Sequence, residues 1–176
     1  TEIIEKTFPF TDELLVVDGH STDKTVEIAE SLGVRVVQDN RKGKGDALRV
    51  GANASQHEIT VFIDADHSHD PADIPRMVEP IQKGEFDLVI GSRGRGGSDE
   101  LHGDIEKLMR LVGSDLILIG INLRFKQELT DSQNGFRAIR TQVMRSIGTT
   151  EKITTIEQEM TMKCLKQGYR VGEVPA

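Results

Sequence analysis

Short runs of β-branched residues alternate along the chain with amphipathic stretches, and that alternation sets the expected architecture. Leu14-Leu15-Val16-Val17 has the continuous apolar character of a strand buried on both faces. It runs into Asp18-Gly19-His20-Ser21-Thr22-Asp23, where Ser21 or Thr22 is placed to cap a helix reaching about Leu32, with Gly33 closing it. Val26, Ile28, Ala29 and Leu32 supply the apolar face of that helix. Val34 to Val37 reads as the next strand, Asp46 to Ala54 as the next helix, and Ile59 to Ile63 as a third strand ending at Asp64. Asp70-Pro71 reads as a cap followed by proline at the first helical position, and Pro75 and Pro80 should bend or split that helix. Asp87 to Ile90 is the fourth strand. The second half is less regular: a long helix from Asp104 to about Phe125, a strand over Gly135 to Arg140, a helix from Ile156 to Gln167 and a last strand from Tyr169 to Val174. The apolar run Leu116 to Ile121 reads as core packing, with lipid contact as the alternative.

Strands alternating with helices predict an α/β domain with a mainly parallel sheet flanked by helices. Ligands bind at the carboxyl ends of the strands in such sheets. Asp18, Asp64 and Gly91-Ser92-Arg93 each follow a strand, so these groups are expected to converge on one edge. Glu2 to Lys6 reads as the tail of a helix, and Val174-Pro175-Ala176 directly follows a strand. Residues 1–176 are therefore expected to form one domain, truncated at both ends.

Charge and composition narrow the functional classes. The net charge of −7, the 4% aromatic content and the lack of Trp speak against a nucleic-acid reader, which needs a basic face or stacking rings. The local basic clusters Arg41-Lys42-Gly43-Lys44 and Arg93-Gly94-Arg95 suit a small anion better than a polymer. Cys164 stands alone, which gives no disulfide framework or cysteine metal site and points to a reducing, cytoplasmic setting. No apolar run approaches the length of a membrane span.

The chemistry gathers in a few segments. Asp64 and Asp66 lie two residues apart at the end of a hydrophobic strand, a spacing that lets both carboxylates share a hard divalent cation. Oxygen donors without cysteine favour Mg²⁺ or Mn²⁺ over zinc. The neighbouring His67 and His69 read as surface or supporting residues rather than ligands. Asp18 can accept hydrogen bonds from a base or ribose, or can simply cap its own turn. Lys42-Gly43-Lys44-Gly45-Asp46 places ammonium groups at a helix start, where backbone amides favour phosphate, but it lacks the spacing of a P-loop. Arg93 and Arg137 each sit near glycine and have the forked geometry that grips phosphate.

Taken together, these segments resemble family 2 glycosyltransferases, specifically the dolichol-phosphate mannose synthase-like, polyprenyl-phosphate branch. Val16 through Thr25 is similar to the family's first nucleotide-contacting segment, and Gly43-Lys44-Gly45-Asp46-Ala47 to its glycine-lysine turn. Phe62 through Asp66 is similar to its Asp-x-Asp metal motif, and Gly91-Ser92-Arg93 to the segment after the next strand. Asp131 through Arg137 keeps the Asp-x-x-x-Gly-Phe-Arg spacing of the lipid-phosphate branch; Glu157-Gln158-Glu159-Met160 and Gly168 through Pro175 resemble its closing block. The family's first strand, with its Pro-x-x-Asn-Glu segment, is missing before Thr1. Gly19 stands where the family often has a second acid, and Ser68 where it often has Gln.

The resemblance implies a GT-A (Rossmann-like) fold and inverting transfer of a sugar from a GDP- or UDP-sugar. In that reading Asp64 and Asp66 hold Mg²⁺ or Mn²⁺, Asp18 and Lys44 seat the nucleotide, and Arg93 grips phosphate. Arg137 would meet the phosphate of a polyprenyl (dolichyl) phosphate acceptor, with peripheral contact to the cytoplasmic face of a membrane. A hydroxyl acceptor would instead need a general base, for which Asp131 and Glu159 are the candidates. Two alternatives accompany this reading: a haloacid dehalogenase-type phosphohydrolase, which also places Asp-x-Asp after a strand, and a non-catalytic nucleotide-sugar-binding module.

Overall fold

The computed structural model describes residues 1–92, 116–151 and 155–176. Helix α1 (Glu2–Thr7) and a 3-10 turn (Phe8–Phe10) lead into strand β1 (Leu15–Asp18), α2 (Thr25–Ser31) and β2 (Arg35–Gln38). Then come α3 (Lys44–Ala54), β3 (Ile59–Phe62), a second 3-10 turn (Pro71–Asp73), α4 (Ile74–Gln82) and β4 (Leu88–Ser92). Residues 116–125 are helical (α5) and are followed by β5 (Arg137–Arg140), α6 (Thr141–Ser146), α7 (Ile156–Lys166) and β6 (Val171–Pro175).

The strands form a parallel pair, β1-β2, and a four-stranded sheet in the order β3-β5-β4-β6. Strands β3 and β4 each run antiparallel to β5, and β6 runs parallel to β4, so β5 alone opposes the other three. The expected α/β architecture holds, but the four-stranded sheet is mixed rather than mainly parallel, because β5 opposes its neighbours. Side-chain alternation along the central strands splits the core into two layers. Leu88, Ile90 and Ile139 face Val143, Met144, Met160 and Cys164 of α6 and α7, together with Ile121 of α5 and Ala52 of α3. Val89 and Ala138 face Ile74, Met77 and Ile81 of α4. The parallel pair has its own smaller core of Ile4, Ala29 and Val34. Helix α3 packs on β1, β2 and α6 and so ties the pair to the main body.

Between the two sheets lies a cavity of about 1230 Å³, lined by Leu15 to Val17 of β1 and by the whole of β3. Each of these strands hydrogen-bonds to a single neighbour among the described residues.

Local details depart from the sequence reading where side chains compete for backbone groups. Helix α2 starts at Thr25 rather than near Ser21, because the Ser21 N–H donates to both Asp18 carboxylate oxygens at 3.2 Å. Asp23 takes over at the helix start, accepting the Thr25 N–H at 3.0 Å. Asp70 does cap its turn, accepting the Ala72 N–H at 3.0 Å, and the proline-rich segment splits into a 3-10 turn and α4. The short helix α6 was not anticipated. Part of the long helix expected from Asp104, and Arg93, lie outside the described residues. The core reading of Leu116 to Ile121 is corrected: Ile121 is buried, but Leu116 is 64% exposed, and Ile117 and Ile119 are exposed as well. Among the described residues, no helix is long and apolar enough to cross a membrane.

Candidate active site

The third strand delivers Asp64 to the cavity, and the start of α3 delivers Lys44 to the same point. Gly43, with φ 89°, turns the chain so that Lys44 becomes the first residue of α3. The Lys44 Nζ donates to Asp64 Oδ2 at 3.0 Å. It also lies 2.9 Å from Glu157 Oε1, on the first turn of α7. Burial disfavours the Lys44 ammonium, but Glu157 and Asp64 outweigh it and hold its pKa above the usual lysine value. Gly135 closes the cluster from the other side. A Cβ there would lie 2.5 Å from Asp64 Oδ2 and 3.0 Å from Lys44 Nζ, so any larger residue would force the ends of these two side chains to move.

Asp66 is exposed two residues on, and its Oδ1 accepts the Ser68 N–H at 3.0 Å. The Ser68 hydroxyl and N–H hold its carboxyl below the usual range, so it is ionised at neutral pH. His67 follows in the left-handed region at φ 65°, an arrangement a non-glycine residue adopts only under local constraint. His69 stacks on Phe136 with ring centroids 5.2 Å apart, joining the Asp-x-Asp loop to the 131–137 loop.

Two carboxylates at a strand end, one of them already holding an ammonium ion, fit a hard divalent cation in part. No group of three or more His, Cys, Asp or Glu side chains assembles for one among the described residues. That donor set suits Mg²⁺ or Mn²⁺, which take one or two carboxylates and fill the remaining positions with water and substrate phosphate.

The other expected residues lie apart from this cluster or serve it indirectly. Asp18 is buried and caps its own turn; the Ser21 hydroxyl, with the N–H groups of Ser21 and His20, lowers its pKa against the opposing effect of burial. Among the described residues no hydrogen bond or ion pair links Asp18 to Lys44 or Asp64. Arg137 is 1% exposed and its guanidinium points into its own loop. Its Nε and Nη2 donate to the Asn134 and Ser132 carbonyls and its Nη1 to Thr161 Oγ1, each at 2.7 Å. Burial pushes its pKa down to about 10, which leaves it charged at neutral pH. Asp131 shapes the same loop, its Oδ1 accepting the N–H groups of Gln133 and Asn134 at 3.0 Å.

Glu159 is removed as a general base. Its carboxylate accepts the backbone N–H groups of Thr150 at 2.9 Å and Glu151 at 2.8 Å, and pairs with Lys163 at 3.0 Å. Burial opposes its charge, but these donors prevail and set its pKa at about 2, too low to accept a proton at neutral pH. Glu157 was legible only as part of the closing block, and its place beside Lys44 was missed. An acid in a helix's first turn ordinarily reads as a response to the helix dipole, and only the fold puts Lys44 beside it.

The chain is similar to known proteins in sequence and in fold. Glucosyl-3-phosphoglycerate synthase from Mycobacterium tuberculosis, solved with Mn²⁺, UDP-glucose and phosphoglyceric acid, superposes with a TM-score of 0.79 at 25% identity, over 98% of this chain and 63% of that one. The structural neighbours are GT-A glycosyltransferases, so the GT-A expectation holds. Glycosyltransferase AglJ from Haloferax volcanii is 32% identical over 163 residues, which are 92% of this chain and 52% of the relative. The dolichol-phosphate mannosyltransferase of Pyrococcus furiosus is 32% identical over 93% of this chain and 47% of its own length. The dolichyl-phosphate hexose transferase of Haloferax volcanii is 30% identical over 93% of this chain and 68% of its own. The chain thus spans about half the length of several curated relatives it matches. Residues 2–148 match the sequence pattern of glycosyl transferase family 2, which overturns the phosphohydrolase alternative, and the chain belongs to that family.

Proposed function

We propose that the chain transfers a sugar from a nucleotide-diphosphate sugar to a lipid-phosphate acceptor with the help of Mg²⁺ or Mn²⁺. The observation that carries this reading is the meeting of Lys44, at the first residue of a helix, with Asp64, at the end of β3, beside an open cavity. A helix start and an ammonium draw phosphate, and the adjoining carboxylates draw a cation. A cation held by Asp64 and Asp66 would neutralise the diphosphate as it leaves. Lys44 would contact the same diphosphate, Asp18 would orient the nucleoside through its turn, and Arg93 is kept for phosphate.

On the acceptor side, Asp131 and Arg137 would act through the loop they shape. Arg137 fixes the Ser132 and Asn134 carbonyls and so holds Gly135 against Asp64. An ionised phosphate acceptor attacks the anomeric carbon without a strong base, which agrees with the engagement of Glu159 elsewhere. A lipid acceptor is favoured over a small phosphorylated one by the dolichyl-phosphate relatives and by α5. Helix α5 exposes Leu116, Ile119 and Leu123 and is tied to the acceptor loop by Asn122, which bonds both the N–H and the carbonyl of Leu129. A position at the cytoplasmic face of a membrane follows from this reading.

The test is an assay panel of UDP- and GDP-sugars with Mn²⁺ or Mg²⁺, offering a short-chain dolichyl phosphate or 3-phosphoglycerate as acceptor. Transfer to the dolichyl phosphate is expected, and Asp66→Ala should slow it roughly a thousandfold. Near-normal turnover in that variant would remove the metal assignment. Metal-dependent donor binding without transfer or donor hydrolysis would favour the non-catalytic alternative.

A further inference from the structure

Lys44 bridges two carboxylates in unlike settings. The Asp64 side chain is 40% exposed at the cavity, whereas that of Glu157 is 8% exposed beneath it. Water can solvate Asp64 when no cation is present. Glu157 has little water, and a buried carboxylate stays charged only beside a cation. An ammonium and a dication cannot both contact Asp64 Oδ2 without strong like-charge repulsion at a few ångströms. An ammonium displaced from Asp64 nevertheless has a second partner already in contact, at the end of a flexible four-carbon stem.

We propose that Lys44 is the resident counter-ion of Asp64 in the ion-free protein, that a divalent cation binding at Asp64 expels it, and that Glu157 keeps the expelled ammonium beside the donor diphosphate. The proposal rests on the metal reading of Asp64 given above, and it makes Glu157 a positioning residue. Lysine and metal then compete while the donor is absent and cooperate once the diphosphate arrives. Removing Lys44 must therefore shift the two affinities in opposite directions.

The experiment measures Mn²⁺ binding to the full chain by electron paramagnetic resonance without donor, then UDP binding at saturating Mn²⁺. Lys44→Met is expected to bind free Mn²⁺ about two- to fivefold more tightly, the range of a partly exposed ion pair, and to bind UDP more weakly. Glu157→Gln is expected to weaken Mn²⁺ binding in the parent chain and to leave it unchanged in the Lys44→Met background. A plain charge effect would instead weaken it in both. If thermal unfolding shows that Glu157→Gln does not fold, Glu157→Asp, which keeps the charge and shortens the reach, is compared in the same two backgrounds.

Unchanged or weaker Mn²⁺ binding by Lys44→Met overturns the exchange, as does an equal effect of the Glu157 change in both backgrounds. Asp64→Asn separates the two readings. If it binds Mn²⁺ like the parent, the metal assignment itself falls. If it loses Mn²⁺ while Lys44→Met shows no gain, only the exchange falls.

Discussion

Gly135 and Glu159 show how single residues govern this site from outside its chemistry. Gly135→Ala would drive a methyl group into Asp64 and Lys44. Displacing those groups by about 1 Å is expected to lower kcat/KM about a hundredfold, while thermal unfolding changes little. Glu159 acts on stability instead. Its pKa lies at about 2 in the fold against an ordinary 4.5, so the unfolded chain binds the proton more readily. Its contribution is therefore present in full above pH 4.5 and is lost as the pH falls from there toward 2. Glu159→Gln should lower unfolding free energy by on the order of 2 kcal/mol at neutral pH, with the gap closing near pH 2 in denaturant titrations. Asp64 and Lys44 were legible in the sequence because a strand end and a glycine-flanked helix start fix where their side chains go. Arg137, Glu157 and Glu159 were not, because burial of a polar residue depends on partners distant in the chain.

At the scale of elements, the hydrophobic pattern located strands and helices well and their ends less well. Ile59 to Ile63 and Asp87 to Ile90 read as strands because their apolar runs are bounded by polar turns, and the strands formed are Ile59–Phe62 and Leu88–Ser92. The start of α2 was misplaced because Asp18 claims the Ser21 N–H that a nearer cap would have used. Helix α6 escaped notice because it follows β5 with no glycine or proline between them. Helix α4 was legible through Asp70-Pro71, which opens the 3-10 turn ahead of it, and its energetics follow from its buried face. Met77 is fully buried against Val89, Phe136 and Ala138, so Met77→Ala should destabilise the fold by about 2–5 kcal/mol in urea titrations. Asp64 follows β3 and Lys44 opens α3, so under the proposed metal reading Mn²⁺ binding should be unchanged in that variant wherever the chain remains folded.

The whole molecule combines a well-covered sheet with a poorly covered seam. That β5 opposes its neighbours was beyond a local pattern, since strand direction is set by pairing between distant segments. The family resemblance supplied the GT-A layout as a whole, and the seam between the two sheets was not part of it. Strand β4 is laddered on both sides, by β5 and β6, and sandwiched between helices. Strands β1 and β3 each keep one side turned to the cavity. Protection from solvent should therefore be uneven within a single chain. In hydrogen–deuterium exchange, the amides of Leu88 to Ile90 are expected to be the last to label, and those of β1 and β3 that face the seam the first among the strands. Uniformly slow labelling of all the strands would mean that the seam closes in solution. Because Asp64 follows β3 at one end of that seam, the least protected stretch of sheet would also be the one that leads into the Asp64–Lys44 pair, and whatever enters the cavity would meet a wall still able to breathe.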